Sequence, residues 1–254
     1  VGVGFAAKEL IRWDKDGRRT HIFNPSSFTL TVFSLALLAT GATDITWGQE
    51  ISVTQVNPPH IYLLIFLVSL PAQLLFGTAA MTLSAVGTTY VFGLLYFAAT
   101  GTHFWFPVSG AFAEPIPIAV FLGMHLLFTD PSTAPRTELG RIVFGMSYGL
   151  SVVGLISLLI HLELPGFYDK LLPVPILNLT IQWIDRAARS IRLRRLDPGA
   201  LGRGLLPRQR NLAYLVLWAV FFAPQLLSRD VPYYRDHLVT NIPMRHYVSE
   251  RLLQ

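Results

Sequence analysis

Two short polar phrases in this chain set residues that could do chemistry beside apolar runs. Phe23-Asn24-Pro25-Ser26-Ser27 and Thr129-Asp130-Pro131-Ser132-Thr133 each set an Asx-Pro step, followed by hydroxyls, beside a long apolar run. Proline has no N–H and pushes the residue before it out of the helical region. Asn, Asp, Ser and Thr satisfy the backbone groups that a broken helix exposes. Two such phrases in two halves of an apolar chain fit paired discontinuous helices around a site near the middle of a membrane. On that reading Asn24, Ser26, Asp130, Ser132 and Thr133 are candidate cofactor-binding residues. Both phrases are then expected to mark helix starts that approach one another about a pseudo-two-fold axis in the membrane plane. Ordinary helix-start chemistry uses the same residues. For Asp130 the two readings are an ionisable group at membrane depth, which is costly and marks function, and an N-cap for the following span, which Pro131 invites.

Other chemistry is thinly represented. His103, His125 and His161 lie in apolar surroundings, but no second His sits at a spacing that demands a bis-His pair, so haem is not expected. The absence of cysteine excludes disulfides, thiolate-held iron–sulfur clusters and cysteine-zinc sites within this chain. Nothing matches a Walker loop, a nucleotide-binding glycine motif or a catalytic triad, so no catalytic or metal-binding residue is assigned.

The loop around Asp130 continues Ala134-Pro135, then Gly140-Arg141 and Phe144-Gly145. It resembles the Thr-Asp-Pro motif, with its downstream Gly and aromatic-Gly, of the RnfD/NqrB family. These are membrane flavoproteins of Rnf complexes and of sodium-pumping NADH:quinone reductases. His21-Ile22-Phe23-Asn24-Pro25-Ser26 matches that family's Phe-Asn-Pro motif, and Pro175-Ile176-Leu177-Asn178 through Ile184-Asp185 is similar to a late segment of it. The resemblance covers roughly residues 8–190 in the right order. It implies two inverted repeats of membrane helices and an electron-transfer assembly. This chain has too few spans for the full set, so a missing or lost N-terminal part is expected. The resemblance also implies FMN, held by a phosphoester on Thr in a Ser-Gly-Ala-Thr motif. That motif is absent here: the nearest string is Ser84-Ala85-Val86-Gly87-Thr88-Thr89, where Thr88 or Thr89 would have to serve. Small residues in an apolar helix also permit close helix packing. A second family segment is degraded to Ser109-Gly110-Ala111-Phe112-Ala113-Glu114-Pro115. The scaffold is therefore expected without covalent flavin.

The elements that must position these residues are apolar helices. Hydrophobic residues make up 52% of the chain and charged ones 14%, with mean hydropathy +0.48; this composition belongs to an integral membrane protein. The expected fold is all-α, a polytopic membrane bundle with about seven hydrophobic segments near 25–43, 60–77, 79–99, 115–129, 141–162, 171–184 and 212–228. Several fall short of the roughly 20 residues a full crossing needs, as half-helices do. Pro71, Gly77, Pro173 and Pro175 predict kinks or late starts.

All 20 Lys and Arg lie outside residues 20–135. The net charge of +5 therefore describes loops facing an anionic leaflet rather than a nucleic-acid surface. Basic residues precede the first span (Lys8, Arg12, Lys15, Arg18, Arg19), separate the fourth from the fifth (Arg136, Arg141) and crowd residues 185–210; Lys170 is the one basic residue in the opposite loops. The arginine-rich stretch 185–210 reads as a helix lying in the headgroup plane. Trp47, Trp105, Trp183 and Trp218 read as an interfacial belt. Val1 to Ile11 reads as the end of a helix rather than a signal peptide, in a chain either processed or lacking an N-terminal part. The organisation is a transmembrane domain over 1–228 and a tail over 229–254, which has no core of its own and is expected against a neighbour.

Three functions compete. The preferred one is a non-catalytic, structural subunit of a larger electron-transport or photosynthetic complex in the bacterial inner membrane, with other membrane subunits and lipids as partners. The others are a flavin- or quinone-binding electron carrier and a channel or transporter. The expected lack of further buried charge pairs counts against the last. Alternation of the basic loops predicts that positions 44 and 194 lie on opposite sides of the membrane. Asp44→Cys and Arg194→Cys variants of this cysteine-free chain should label from opposite faces; labelling of both from one face overturns the topology.

Overall fold

The computed structural model describes residues 1–15, 17–46, 59–101, 118–164, 166–201 and 204–227. The chain opens with α1 (Gly2–Leu10) and a hairpin of β1 (Arg12–Lys15) and β2 (Arg18–His21), then α2 (Pro25–Thr40). α3 (Pro59–Phe76) and α4 (Ala79–Thr100) follow, and α5 (Ile118–Leu122) runs on into a π turn at Gly123–Leu127. A 3₁₀ turn at Pro131–Thr133 precedes α6 (Glu138–His161), and another at Gly166–Lys170 precedes α7 (Pro173–Ala188). The remainder is a 3₁₀ turn (Leu193–Leu196), α8 (Pro198–Leu201) and α9 (Pro207–Leu227).

The protein is mostly helical, as composition requires. The hairpin departs from the all-α expectation. Its strands pair antiparallel with Arg12 opposite His21 and Lys15 opposite Arg18, turning through Gly17 at φ +75°. Asp16-Gly17 is a hairpin-turn signal in sequence. Along β1 every second side chain turns inward, ending on buried Lys15, a period-2 pattern that charged residues disguise.

Helix ends follow local chemistry. Asn24 caps α2, Pro25 occupies its first position, and Gly41 ends it at φ +66°. Gly77, also at φ +66°, separates α3 from α4. Pro71 lies inside α3, and α7 starts late at Pro173.

α4 and α6 form the tightest contact. A Cβ added at Gly145 would collide with the Met81 carbonyl, and one at Gly149 would lie 2.6 Å from the Ala85 carbonyl oxygen. This Gly-x-x-x-Gly spacing lets two helix backbones touch. Beside it runs an aromatic core in which Phe128 stacks on Tyr148 with ring centroids 4.3 Å apart and Phe66 on Phe222 at 5.0 Å. Trp218 belongs to this core. It is 1% exposed, so it corrects the interfacial-belt expectation, which counted its distance from the span end but not the face of α9 it occupies. Trp183 is 65% exposed. Trp47 and Trp105 lie outside the described residues.

Ala79–Thr100 and Glu138–Leu159 are long and apolar enough to cross a membrane; Pro25–Thr40, His60–Phe76 and Ile118–Leu127 are shorter apolar helices. Among the described residues a helix thus forms in each of the seven predicted segments, and two of these helices have the length and apolarity of full spans. Residues 185–210 are not one interfacial helix: α7 ends at Ala188, and a 3₁₀ turn and the short α8 follow. Pro198 and Pro207 each interrupt helical pairing there. The tail 229–254, Glu114, His103 and the 109–115 segment lie outside the described residues.

An Ala at Gly145 should cost about 1–3 kcal/mol of stability through overpacking against the Met81 carbonyl. Gly154 on the same helix has open space where its Cβ would go, so Gly154→Ala should be neutral or gain up to about 1 kcal/mol from helix propensity. Thermal unfolding of the two variants in detergent checks this; equal melting shifts would show that the contact is not tight.

Candidate functional site

The two Asx-Pro phrases meet. Asn24 Oδ1 accepts the amides of Ser26 (3.0 Å) and Ser27 (3.2 Å), capping α2. Its Nδ2 donates to the Leu127 carbonyl at 3.1 Å, and Ser27 Oγ donates to the same oxygen at 3.3 Å. That carbonyl is free for a reason written in the sequence. Its helical partner would be the N–H of residue 131, and residue 131 is proline. The first phrase therefore seals the backbone group that the second phrase opens.

The second phrase is self-contained on its other side. Asp130 Oδ1 accepts from the Ser132 amide at 2.9 Å and from Ser132 Oγ at 2.5 Å. His21 Nε2, at the end of β2, lies 2.9 Å from Ser132 Oγ and 3.8 Å from Asp130 Oδ2. With its own proton given to Asp130, Ser132 Oγ accepts from His21. Buried Lys15 donates to the Ala134 carbonyl at 2.7 Å and pins the hairpin to this loop. Of the sequence-predicted residues, Asn24, Asp130 and Ser132 gather at this junction. Thr133 is buried, and Ser26 is exposed with only its amide engaged. The phrases are not alike in detail: one opens a 16-residue α-helix, the other a single 3₁₀ turn. Asp130 does not cap α6. Pro135 holds Ala134 extended (φ −98°, ψ 152°), and Thr137 takes over the start of α6, its Oγ1 accepting from the Gly140 amide at 3.1 Å.

A second polar layer adjoins the first. Asp185, 5% exposed near the end of α7, accepts the Arg136 amide at 3.0 Å, the Thr137 amide at 3.1 Å and Thr137 Oγ1 at 2.9 Å. Arg141 donates to the carbonyls of Pro135 (3.0 Å) and Gly77 (2.6 Å), and Asn211 of α9 bridges the Ala79 amide and the Gln73 carbonyl. In the sequence Asp185 stands out only through the family resemblance; an acid one residue after the inward Ile184 of an amphipathic helix was the signal available.

The residues that sequence reasoning missed are Asp169 and Lys170. Placed in an outer loop by charge alternation, they are 1% and 6% exposed and pair at 3.1 Å. Tyr148, midway along α6, donates to the Lys170 carbonyl at 3.0 Å, and Thr31, midway along α2, donates to the Leu171 carbonyl at 2.8 Å. Segment 166–172 therefore re-enters the bundle to half its depth. Gly123, at the start of the π turn, makes room there: a Cβ on it would lie 2.7 Å from the Tyr148 hydroxyl oxygen. Asp169 Oδ2 and both amide atoms of Asn178 are buried without a hydrogen-bond partner among the described residues. The charge pair corrects the premise that the chain lacks buried charge pairs.

Cofactor candidates fare as follows. Thr89 Oγ1 donates to Val86 of its own helix at 2.7 Å, and Thr88 is half-buried on α4. Both are remote from the junction in sequence, on the helix whose Met81–Ala85 stretch α6 covers. His125 is 1% exposed; Trp218 Nε1 donates to its Nε2 at 3.1 Å, which leaves Nδ1 to donate to the Phe121 carbonyl at 2.7 Å. Neither ring nitrogen is left for a metal. Among the described residues, no three His, Asp or Glu side chains are grouped to hold an ion. No protein-family model, curated protein or solved structure matches the chain.

Asn24→Asp keeps an equally good cap but cannot donate to Leu127. It sets a carboxylate oxygen against that carbonyl, which keeps only the longer Ser27 hydroxyl bond, and should cost about 1–3 kcal/mol. Asp130→Asn keeps its cap acceptor and should cost under about 1 kcal/mol. Denaturation midpoints of the two variants test the asymmetry; equal losses would mean that the Leu127 bond carries no weight.

Proposed function

We propose that this chain is a non-catalytic integral membrane subunit of a larger electron-transport or photosynthetic complex. Its scaffold is of the RnfD/NqrB type, without covalent flavin. The observation that carries the second half of this reading is the packing of α4. The helix bearing Thr88 and Thr89 presents Met81 and Ala85 to the backbone of α6 through Gly145 and Gly149, and Thr89 turns its hydroxyl onto its own helix. The string closest to a flavin-attachment motif works as a packing surface.

Membrane immersion is supported by large apolar side chains left exposed along α2, α3, α4, α6 and α9, among them Phe33, Leu64, Leu95, Leu150 and Val220. Exposed patches of that extent mark contact with lipid or protein. On the proposed orientation in a bacterial inner membrane, the exposed arginines between Arg186 and Arg195 face the cytoplasm, and the tail 229–254 lies against a partner on the other side.

The Asp169–Lys170 pair favours a second reading, a channel or transporter. Charges buried at membrane depth line ion and proton paths more often than they brace a scaffold.

Intact mass of the chain purified from its own membrane, together with its co-purifying subunits, separates these readings. The scaffold reading expects the bare polypeptide mass and a multisubunit band that deletion of 229–254 disrupts without preventing insertion. A flavin-sized addition on a peptide holding Thr88 or Thr89 reinstates the electron carrier. A lone chain whose proton or cation flux in proteoliposomes is abolished by Asp169→Asn establishes the transporter.

A further inference from the structure

We infer that the cleft between the α3–α4 turn and the first turns of α6 and α9 binds the phosphodiester headgroup of an anionic phospholipid. The cleft holds about 200 Å3. Arg141, Arg208, Glu138, Asn211 and Tyr214 line it, with the backbone of Gly77 at one end.

Its charges do not cancel internally. The Glu138 carboxylate is taken by Arg210, whose Nε donates to it at 2.8 Å and 2.9 Å. Arg141 is held by the carbonyls of Pro135 and Gly77, which fix its guanidinium but supply no negative charge. Glu138 and Asp185 both attract Arg141 through space. Asp185 also accepts from the amides of Arg136 and Thr137 and from Thr137 Oγ1, but Arg141, Arg208 and Arg210 outnumber these two carboxylates three to two. Among the described residues Arg141 forms no ion pair, and Arg208 forms neither an ion pair nor a side-chain hydrogen bond. The Tyr214 hydroxyl forms no hydrogen bond among them. Two guanidinium groups and a phenol with spare donors on one cleft suit a phosphate oxygen set, which Arg contacts through several N–H groups at once.

The surroundings select the source of that phosphate. The apolar side of the cleft is Leu74, Leu75 and Phe76 at the end of α3, exposed by 48%, 77% and 51%. These side chains would flank acyl chains, while the arginines sit where apolar helices begin, at headgroup level. Basic pockets between helices at that level hold anionic headgroups. A soluble phosphate ligand would leave the three apolar side chains without a role. This inference needs the chain to lie in a membrane but stands apart from its role as a subunit.

The test is native mass spectrometry of the full chain, delipidated and then titrated with phosphatidylglycerol, phosphatidylcholine or inorganic phosphate. The expected result is one phosphatidylglycerol retained about tenfold more strongly than phosphatidylcholine, with inorganic phosphate a weak competitor. Arg208→Gln, at an exposed position without hydrogen bonds, should remove about that tenfold preference while the melting temperature stays put. The triple variant Arg192→Gln, Arg194→Gln, Arg195→Gln should leave it unchanged. Equal retention of both lipids, or a preference lost in the triple variant and kept in Arg208→Gln, overturns the assignment by showing that no charged cleft selects the headgroup. Inorganic phosphate displacing the lipid at equal concentration overturns the lipid as ligand.

Discussion

A helix that stops in apolar surroundings leaves carbonyls and amides with nothing to bond, at several kcal/mol each in a lipid-like medium. Several polar contacts between distant segments answer that constraint. Pro131 denies the Leu127 carbonyl its helical partner, and Asn24 from another helix supplies one. The turn at Gly77 frees a carbonyl that Arg141 takes, and the new helix after it begins with an amide that Asn211 accepts. Asp185 does the same for the amides that open α6. Each seal joins elements distant in sequence, so the same bonds that satisfy the backbone also hold the bundle together at one end.

Deeper in the bundle the constraint is met differently. The glycines at 145 and 149 let α6 lie against α4 backbone to backbone, which fixes where Tyr148 stands. Tyr148 and Thr31 then provide donors at mid-depth, and the re-entrant segment 166–172 uses both for its own carbonyls. Its ionic side chains have less help. Lys170 and Asp169 pair at 3.1 Å, while the other Asp169 oxygen has no hydrogen-bond partner among the described residues. Burying either charge alone would cost several kcal/mol, and the pair gives back that cost only with good geometry. Such a pair is weak evidence for stability and better evidence for use.

The junction of the phrases and the buried pair thus carry different functional weight. At the junction nearly every polar atom is engaged within the chain, as a structural joint requires. At the buried pair the interior is left electrostatically incomplete, since Asp169 Oδ2 has no hydrogen-bond partner among the described residues. The cleft beside Arg141 is incomplete in another sense: among the described residues Arg141 and Arg208 form no ion pair, and its rim is apolar, which is the basis of the proposed headgroup site.

Local chemistry was legible in the residues themselves. Asn24-Pro25 and Asp130-Pro131 had to break helices, because a missing N–H acts wherever the chain lies, and each apolar segment carries a helix, some with ends a few residues from the predicted ones. The approach of the two phrases was legible only as a pattern of repetition, and their unequal outcomes depended on Pro135. What the tertiary structure alone decided were the partners. Nothing local to Asp185 names residues 136 and 137, nothing local to Trp218 names His125, and charge alternation placed Lys170 in water although Tyr148 and Thr31 draw its segment inward. A residue's conformational preference acts over one or two turns of chain. Whether a polar group is paired depends on which distant groups packing brings within about 3 Å, and no single stretch of sequence carries that distance.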